Sequence, residues 1–177
     1  MQICSKLLKH YLEGKIVMNL IKKVIDDWDP IEKNQGNSNN EYGIEINKIK
    51  QLLNSTTDLI KLSEGIYEVF IRAFGKDTFK KSKSECKEIA QILLSQKVIK
   101  KIINDWDPID LFPGAPDDEY WTEIEEIEQL FRFTNNPIKL SEAIYKIFVK
   151  SFGEDTFKKS ESECEQIAQV ILSQERM

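Results

Sequence analysis

The chain repeats itself. Asp27-Trp28-Asp29-Pro30-Ile31 returns as Asp105-Trp106-Asp107-Pro108-Ile109, an offset of 78 residues. The same offset carries Ile60-Lys61-Leu62-Ser63-Glu64 onto Ile138-Lys139-Leu140-Ser141-Glu142, and Ser84-Glu85-Cys86 onto Ser162-Glu163-Cys164. Aligned without a gap, residues 24–96 and 102–174 share about 40 identities in 73 pairs. Solenoid units run to about 20–50 residues, so a repeat of this length is a duplicated small domain and not one turn of an array. The expected organisation is a first copy over 18–96, a second over 97–177, and a leader over 1–17 that has no counterpart.

Each copy reads as four helices. The first ends at the Trp-Asp-Pro corner, because the residue before a proline is pushed out of the α region. A polar loop follows: Gly36-Asn37-Ser38-Asn39-Asn40 in copy one, Pro113-Gly114-Ala115-Pro116-Asp117 in copy two. Helix two carries Tyr120, Ile124, Ile127, Leu130 and Phe131, matched by Tyr42, Ile46, Ile49, Leu52 and Leu53. That spacing is an apolar stripe of helical period. In copy two, helix three opens on Asn136-Pro137 and closes on Gly153, a polar N-cap with proline behind it and a left-handed C-terminal glycine. Helix four opens on Ser82-x-x-Glu85 or Ser160-x-x-Glu163, the capping-box pattern. Nothing alternates like a half-buried strand. The predicted fold is all-α: two homologous four-helix bundles in tandem.

Neither glycine nor proline interrupts residues 83–105, so helix four of copy one is expected to run on as helix one of copy two. At about 100° per residue, Cys86, Ile89, Ala90, Leu93 and Leu94 share one side, and Val98, Ile99, Ile102, Ile103 and Trp106 lie roughly opposite. A shared helix would bury one side in each bundle; a bend near Ser95-Gln96 is the alternative. The leader also has two readings. It is an over-extended start preceding Met18, or a short amphipathic helix using Leu7, Leu8, Tyr11 and Leu12.

Composition removes several function classes. The formal net charge is −5, with no long basic run, which disfavours nucleic acid as a partner. No stretch approaches the roughly 18 apolar residues of a membrane span, and no secretory leader is evident. One histidine, His10, and three widely spaced cysteines rule out the usual zinc sites, Ser-His-Asp triads and Cys-His dyads. Cys86 and Cys164 sit at equivalent places on an apolar stripe and read as small buried hydrophobes; with Cys4 they suit a reducing, cytoplasmic setting. Asp105, Asp107, Asp110, Asp117, Asp118 and Glu119 fail the calcium-loop pattern, since Ile109 and Asp110 fall where an oxygen ligand and a glycine belong. No metal and no cofactor are expected. Trp28-Asp29-Pro30 and its twin read as a structural corner.

The Trp-Asp-Pro-Ile run after a short apolar helix, Asp117-Asp118-Glu119-Tyr120 before helix two, and Phe152-Gly153-Glu154-Asp155-Thr156-Phe157 before the last helix form a set. Together they resemble a small bacterial helical family known as domain of unknown function 1871. The resemblance covers both copies and is better in copy two, since copy one has Ser38-Asn39-Asn40 in place of the Pro-Asp-Asp segment. It implies a bacterial, cytoplasmic, helical protein and supplies no activity, cofactor or catalytic residue.

The differences between the copies carry the functional reading. Residues 24–96 hold 10 basic and 12 acidic side chains, residues 102–174 hold 6 and 16. Copy two also gains Phe112, Trp121, Phe131 and Phe133 where copy one has Asn34, Gly43, Leu53 and Ser55. Aromatics among acids suit a surface that binds a basic protein, because rings supply contact area and charge steers encounter. The expected site is Trp121, Glu123, Glu125, Glu126 and Glu128 with Phe112, with Trp121, Glu125 and Glu128 turned to the flank and solvent. The plainer alternative is that Phe112 and Phe131 pack internally and the acids keep the chain soluble. The expected function is a non-enzymatic protein-binding module of inhibitor, immunity or adaptor type. An enzyme or small-ligand protein with carboxylates between the bundles is the alternative.

Overall fold

A computed structural model describes residues 21–32, 42–116 and 118–174. Leader residues 1–17, with His10 and Cys4, lie outside them, as do Met18, the first polar loop and Asp117. The described residues are helical, with no strand among them. The elements are α1 (helical over 21–28), α2 (Gly43–Ser55), α3 (Leu59–Phe74), α4 (Lys83–Trp106), α5 (Trp121–Phe131), α6 (Pro137–Phe152) and α7 (Glu161–Ser173). Two compact units divide between Leu94 and Ser95.

Local chemistry explains where the helices start and stop. Asn136 Oδ1 accepts from the amides of Ile138 and Lys139, with Pro137 in the first turn, and Asp58 caps α3 in the same way. Gly75 and Gly153 end α3 and α6 at φ 74° and 76°, a region that glycine enters without steric penalty. Both capping boxes are formed. Glu163 Oε2 accepts from the Ser160 amide at 2.8 Å while Ser160 Oγ accepts from the Glu163 amide, and Ser82 and Glu85 repeat the pattern. These bonds to Ser82 and Ser160 hold the carboxyls of Glu85 and Glu163 below their ordinary values.

In unit 2 the core gathers Ile99, Ile103, Tyr120, Ile124, Ile127, Phe131, Leu140, Ile144, Phe148, Phe157, Cys164 and Ala168, with α6 packed on α5 and α7. Unit 1 buries the counterparts Ile21, Ile25, Tyr42, Ile46, Ile49, Leu53, Leu62, Ile66, Phe70, Phe79, Cys86 and Ala90, with α2 packed on α3. α4 is one uninterrupted helical segment of 24 residues, Lys83–Trp106. Its Cys86, Ile89, Ala90 and Leu93 are buried in the portion belonging to unit 1, and Ile99 and Ile103 in the portion belonging to unit 2.

Candidate protein-binding surface

The corner between the first and second helices of each unit sets where helix two points. In unit 2, α4 carries the backbone to Asp107, which turns out of the helix at φ 46°, and Asp110 follows at 55°. Asp29 and Glu32 repeat this at 45° and 49°. These are left-handed conformations, uncommon outside glycine, though aspartate enters them more readily than most residues. At Asp107 side-chain bonds hold the turn. Its Oδ1 accepts from the Leu111 amide at 2.8 Å and from the Tyr120 hydroxyl at 2.6 Å, and its Oδ2 from the Phe112 amide at 2.9 Å. Burial pushes this carboxyl up; the bonds from Tyr120, Phe112 and Leu111, with Lys159 nearby, outweigh it and hold the group below its usual range. Tyr42 donates likewise to Asp29 at 3.1 Å.

The tryptophans lock the corner to the core. Trp106 meets Phe148 and Phe157 edge-on, and Trp28 meets Phe70 and Phe79, with centroids 5.4–6.1 Å apart. Both indoles are partly buried and Pro30 and Pro108 fully so. The corner residues are therefore consumed by the fold. Among the described residues no cluster of three or more His, Cys, Asp or Glu is placed to hold a metal.

The expected acidic face of α5 is rearranged by its helical phase. Tyr120, Ile124, Ile127 and Phe131 define the core direction, and at about 100° per residue Glu128 and Glu123 lie only about 70° from it and Trp121 about 90°. Accordingly Glu128 is 0% exposed and Glu123 4%, so neither belongs to a free surface, and Glu128 does not turn to solvent. Glu45, the counterpart of Glu123, is buried too, so this carboxylate is a shared property of the fold. Glu128 stands where copy one has Lys50. Arg132 Nη2 lies 3.0 Å from its Oε2, an ion pair, and burial still raises its carboxyl above the ordinary value.

The remaining expected residues divide. Trp121 is half-buried, a correction to its expected solvent-facing position. Phe112 packs edge-on against Tyr120 at 5.7 Å and is absorbed by the core, as Phe131 is. Glu125 and Glu126 are half-exposed, and Glu126 reaches Lys150 on α6 at 3.0 Å.

The outward stripe of α5 is instead Thr122, Glu126 and Gln129, with Leu130 on its flank and Phe133 following in the turn beyond the helix. Leu130 is 40% exposed and Phe133, in the turn after the helix, 87%; Ile138 at the start of α6 is 59% exposed. Phe133 was legible as an aromatic gained by copy two, but it lies beyond the helix, where the phase taken from Tyr120, Ile124, Ile127 and Phe131 does not reach. What misled the sequence reading was locating the ring by its acidic neighbours.

No curated protein and no solved structure matches the chain. The sequence profile of one family, described as Domain of unknown function (DUF1871), matches residues 20–101 and again residues 97–175. The two matches overlap within α4, where the fold runs from one unit into the next without a break. Repeat, helices and profile thus agree, and the chain belongs to the DUF1871 family as two copies of its domain in tandem.

Proposed function

We propose that the chain is a non-catalytic protein-binding module of a bacterial cytoplasm, an inhibitor, immunity-type or adaptor protein whose second unit docks a basic protein surface. The observation that carries this reading is Phe133, a phenyl ring 87% exposed beside Leu130, in the more acidic copy. A large ring held in water has no role in a bundle whose other copy manages with Ser55, and such rings are the usual anchors of interfaces. The excess of acid in copy two, 16 acidic against 6 basic side chains over residues 102–174, supplies the steering field. Two further features support the setting. No described helix is long and apolar enough to cross a membrane. The free, buried thiols of Cys86 and Cys164 suit a reducing compartment.

The test is a cross-linking capture from the native host with the full chain and with Phe133→Ser. A basic protein retained by the parent and lost from the variant supports the reading, provided purified partner and chain then bind directly. Identical retained proteins for both chains overturn it.

A further inference from the structure

The two units differ where their second and third helices cross. In unit 1, α2 and α3 border a groove of about 440 Å³ floored by Leu52, Gly65 and Val69, with Ser55 at one end and Lys48 and Arg72 on its rim. Glu68 shares the rim and pairs with Arg72 at 3.2 Å. At the equivalent places unit 2 has Leu130, Ala143, Ile147, Phe133, Glu126 and Lys150. There the Glu126–Lys150 ion pair spans α5 and α6 at 3.0 Å. Copy one has cations, Lys48 and Arg72, at both of those places, so with Glu68 paired to Arg72 the rim keeps one cation in excess and suits an acidic visitor.

The same alignment position thus carries a hollow on one copy and a projecting ring on the other. Ser55 lines the groove; Phe133 stands out in water. The charges differ in the same sense: residues 24–96 hold 10 Lys+Arg against 12 Asp+Glu and residues 102–174 hold 6 against 16, so copy one is near neutral at −2 and copy two carries −10.

We infer that Phe133 of one molecule seats in the Leu52–Gly65–Val69 groove of a second copy, with the acidic side of α5 facing Lys48 and Arg72. This rests on the reading of the Phe133 patch as an interface for a basic surface, and it names that surface as unit 1 of the chain itself. A second copy is the favoured occupant because ring and groove arise at one aligned position, the acidic copy meets the rim cations Lys48 and Arg72, and ring and groove are always present in equal amount. The contact is heterologous: it joins different patches, so each bound molecule still offers one free ring or one free groove until the assembly closes.

Gly65 makes the groove testable. A Cβ placed there meets Leu52 Cδ1 at 2.7 Å, the tip of a flexible side chain, so Gly65→Ala is expected to fold with Leu52 displaced and the groove that both residues line reshaped. Copy two already carries alanine at that place, Ala143.

The experiment is sedimentation velocity of the full chain over a wide concentration range, at low and high salt. The parent is expected to exceed its 20.6 kDa monomer mass as concentration rises, less so at high salt. Phe133→Ser and Gly65→Ala are each expected to weaken association by at least about tenfold, with unchanged melting of Phe133→Ser. Mixing the two variants should restore a dimer and nothing larger, since one keeps the groove and the other the ring. A parent that is monomeric throughout, association indifferent to both variants, or a mixture that stays monomeric overturns the proposal. A monomeric parent that still binds a purified basic protein through Phe133 overturns self-docking alone and leaves the reading of the patch standing. Loss of both brings down both.

Discussion

Removing only the hydroxyl of Tyr120 isolates the bond that ties Asp107 to the start of α5. Tyr120→Phe deletes a 2.6 Å bond to a carboxylate and is expected to cost about 1.5–3 kcal/mol in denaturant unfolding, while Tyr42→Phe, losing a 3.1 Å bond, costs less. The pH dependence has a definite sign. Asp107 is depressed in the fold, so its contribution is complete above its unfolded pKa and is lost as pH falls through its folded one. In Tyr120→Phe the folded pKa of Asp107 moves back toward its unfolded one, so the Asp107 contribution is smaller and is exhausted at higher pH than in the parent; identical pH dependence of stability would contradict the role given to the hydroxyl. Glu128 has the opposite sign. Its raised pKa means the native state keeps the proton longer than the unfolded chain, so stability declines as pH rises from about 4.3 toward the folded value. Glu128→Gln is expected to equal or exceed the parent at neutral pH and to lose that advantage in acid. A loss above about 1 kcal/mol at pH 7 would show the Arg132 pair to be net stabilising. Burial, with the nearby charge of Glu85, pushes the Cys86 thiol up to about 12; burial, with Glu163 and Glu161, pushes Cys164 up to about 11. In a Cys4→Ser background, neither should react with a thiol reagent at neutral pH until the chain unfolds, and prompt reaction would contradict core placement.

Helices reveal which parts of this structure the sequence could announce. Caps did so fully, because Ser160-x-x-Glu163 and Asn136-Pro137 are local instructions whose bonds close within one turn. The core stripe of α5 was equally legible in Ile124, Ile127 and Phe131. The position of Glu128 was not read from it, although the phase is the same, because a carboxylate next to a core stripe is ordinarily solvated and here is buried. Internal packing of Phe112 was one of two open readings, and the sequence alone does not decide it, since it depends on the turn that Asp107 closes on the Leu111 and Phe112 amides and on where that turn meets Tyr120. For α4 the absence of breakers over residues 83–105 predicted continuity, and the helix runs unbroken from Lys83 to Trp106. Lys97→Pro tests it. In an unbroken helix it is expected to cost about 3 kcal/mol or more in unfolding, through a lost backbone bond and a clash with the preceding turn. A loss below about 1 kcal/mol would mean that the helix already breaks there.

At the scale of the whole molecule, duplication gives each unit an internal control. What both copies keep, the Trp-Asp-Pro corner, the capping boxes, the buried glutamate at Glu45 and Glu123, is what the fold requires. What only one has, the exposed Phe133 and the excess of acid in unit 2, or the cation-rimmed groove in unit 1, is where a task is to be sought. The most direct test of that division is titration of the full chain and Phe133→Ser against the protein captured by the parent, alongside the melting of both. The expected result is an affinity loss of about 2 kcal/mol or more, about thirtyfold, with melting unchanged, and an association rate of the parent that falls as salt rises. Equal affinity for the two chains would contradict it, and Phe133 would then be an exposed ring with no part in binding.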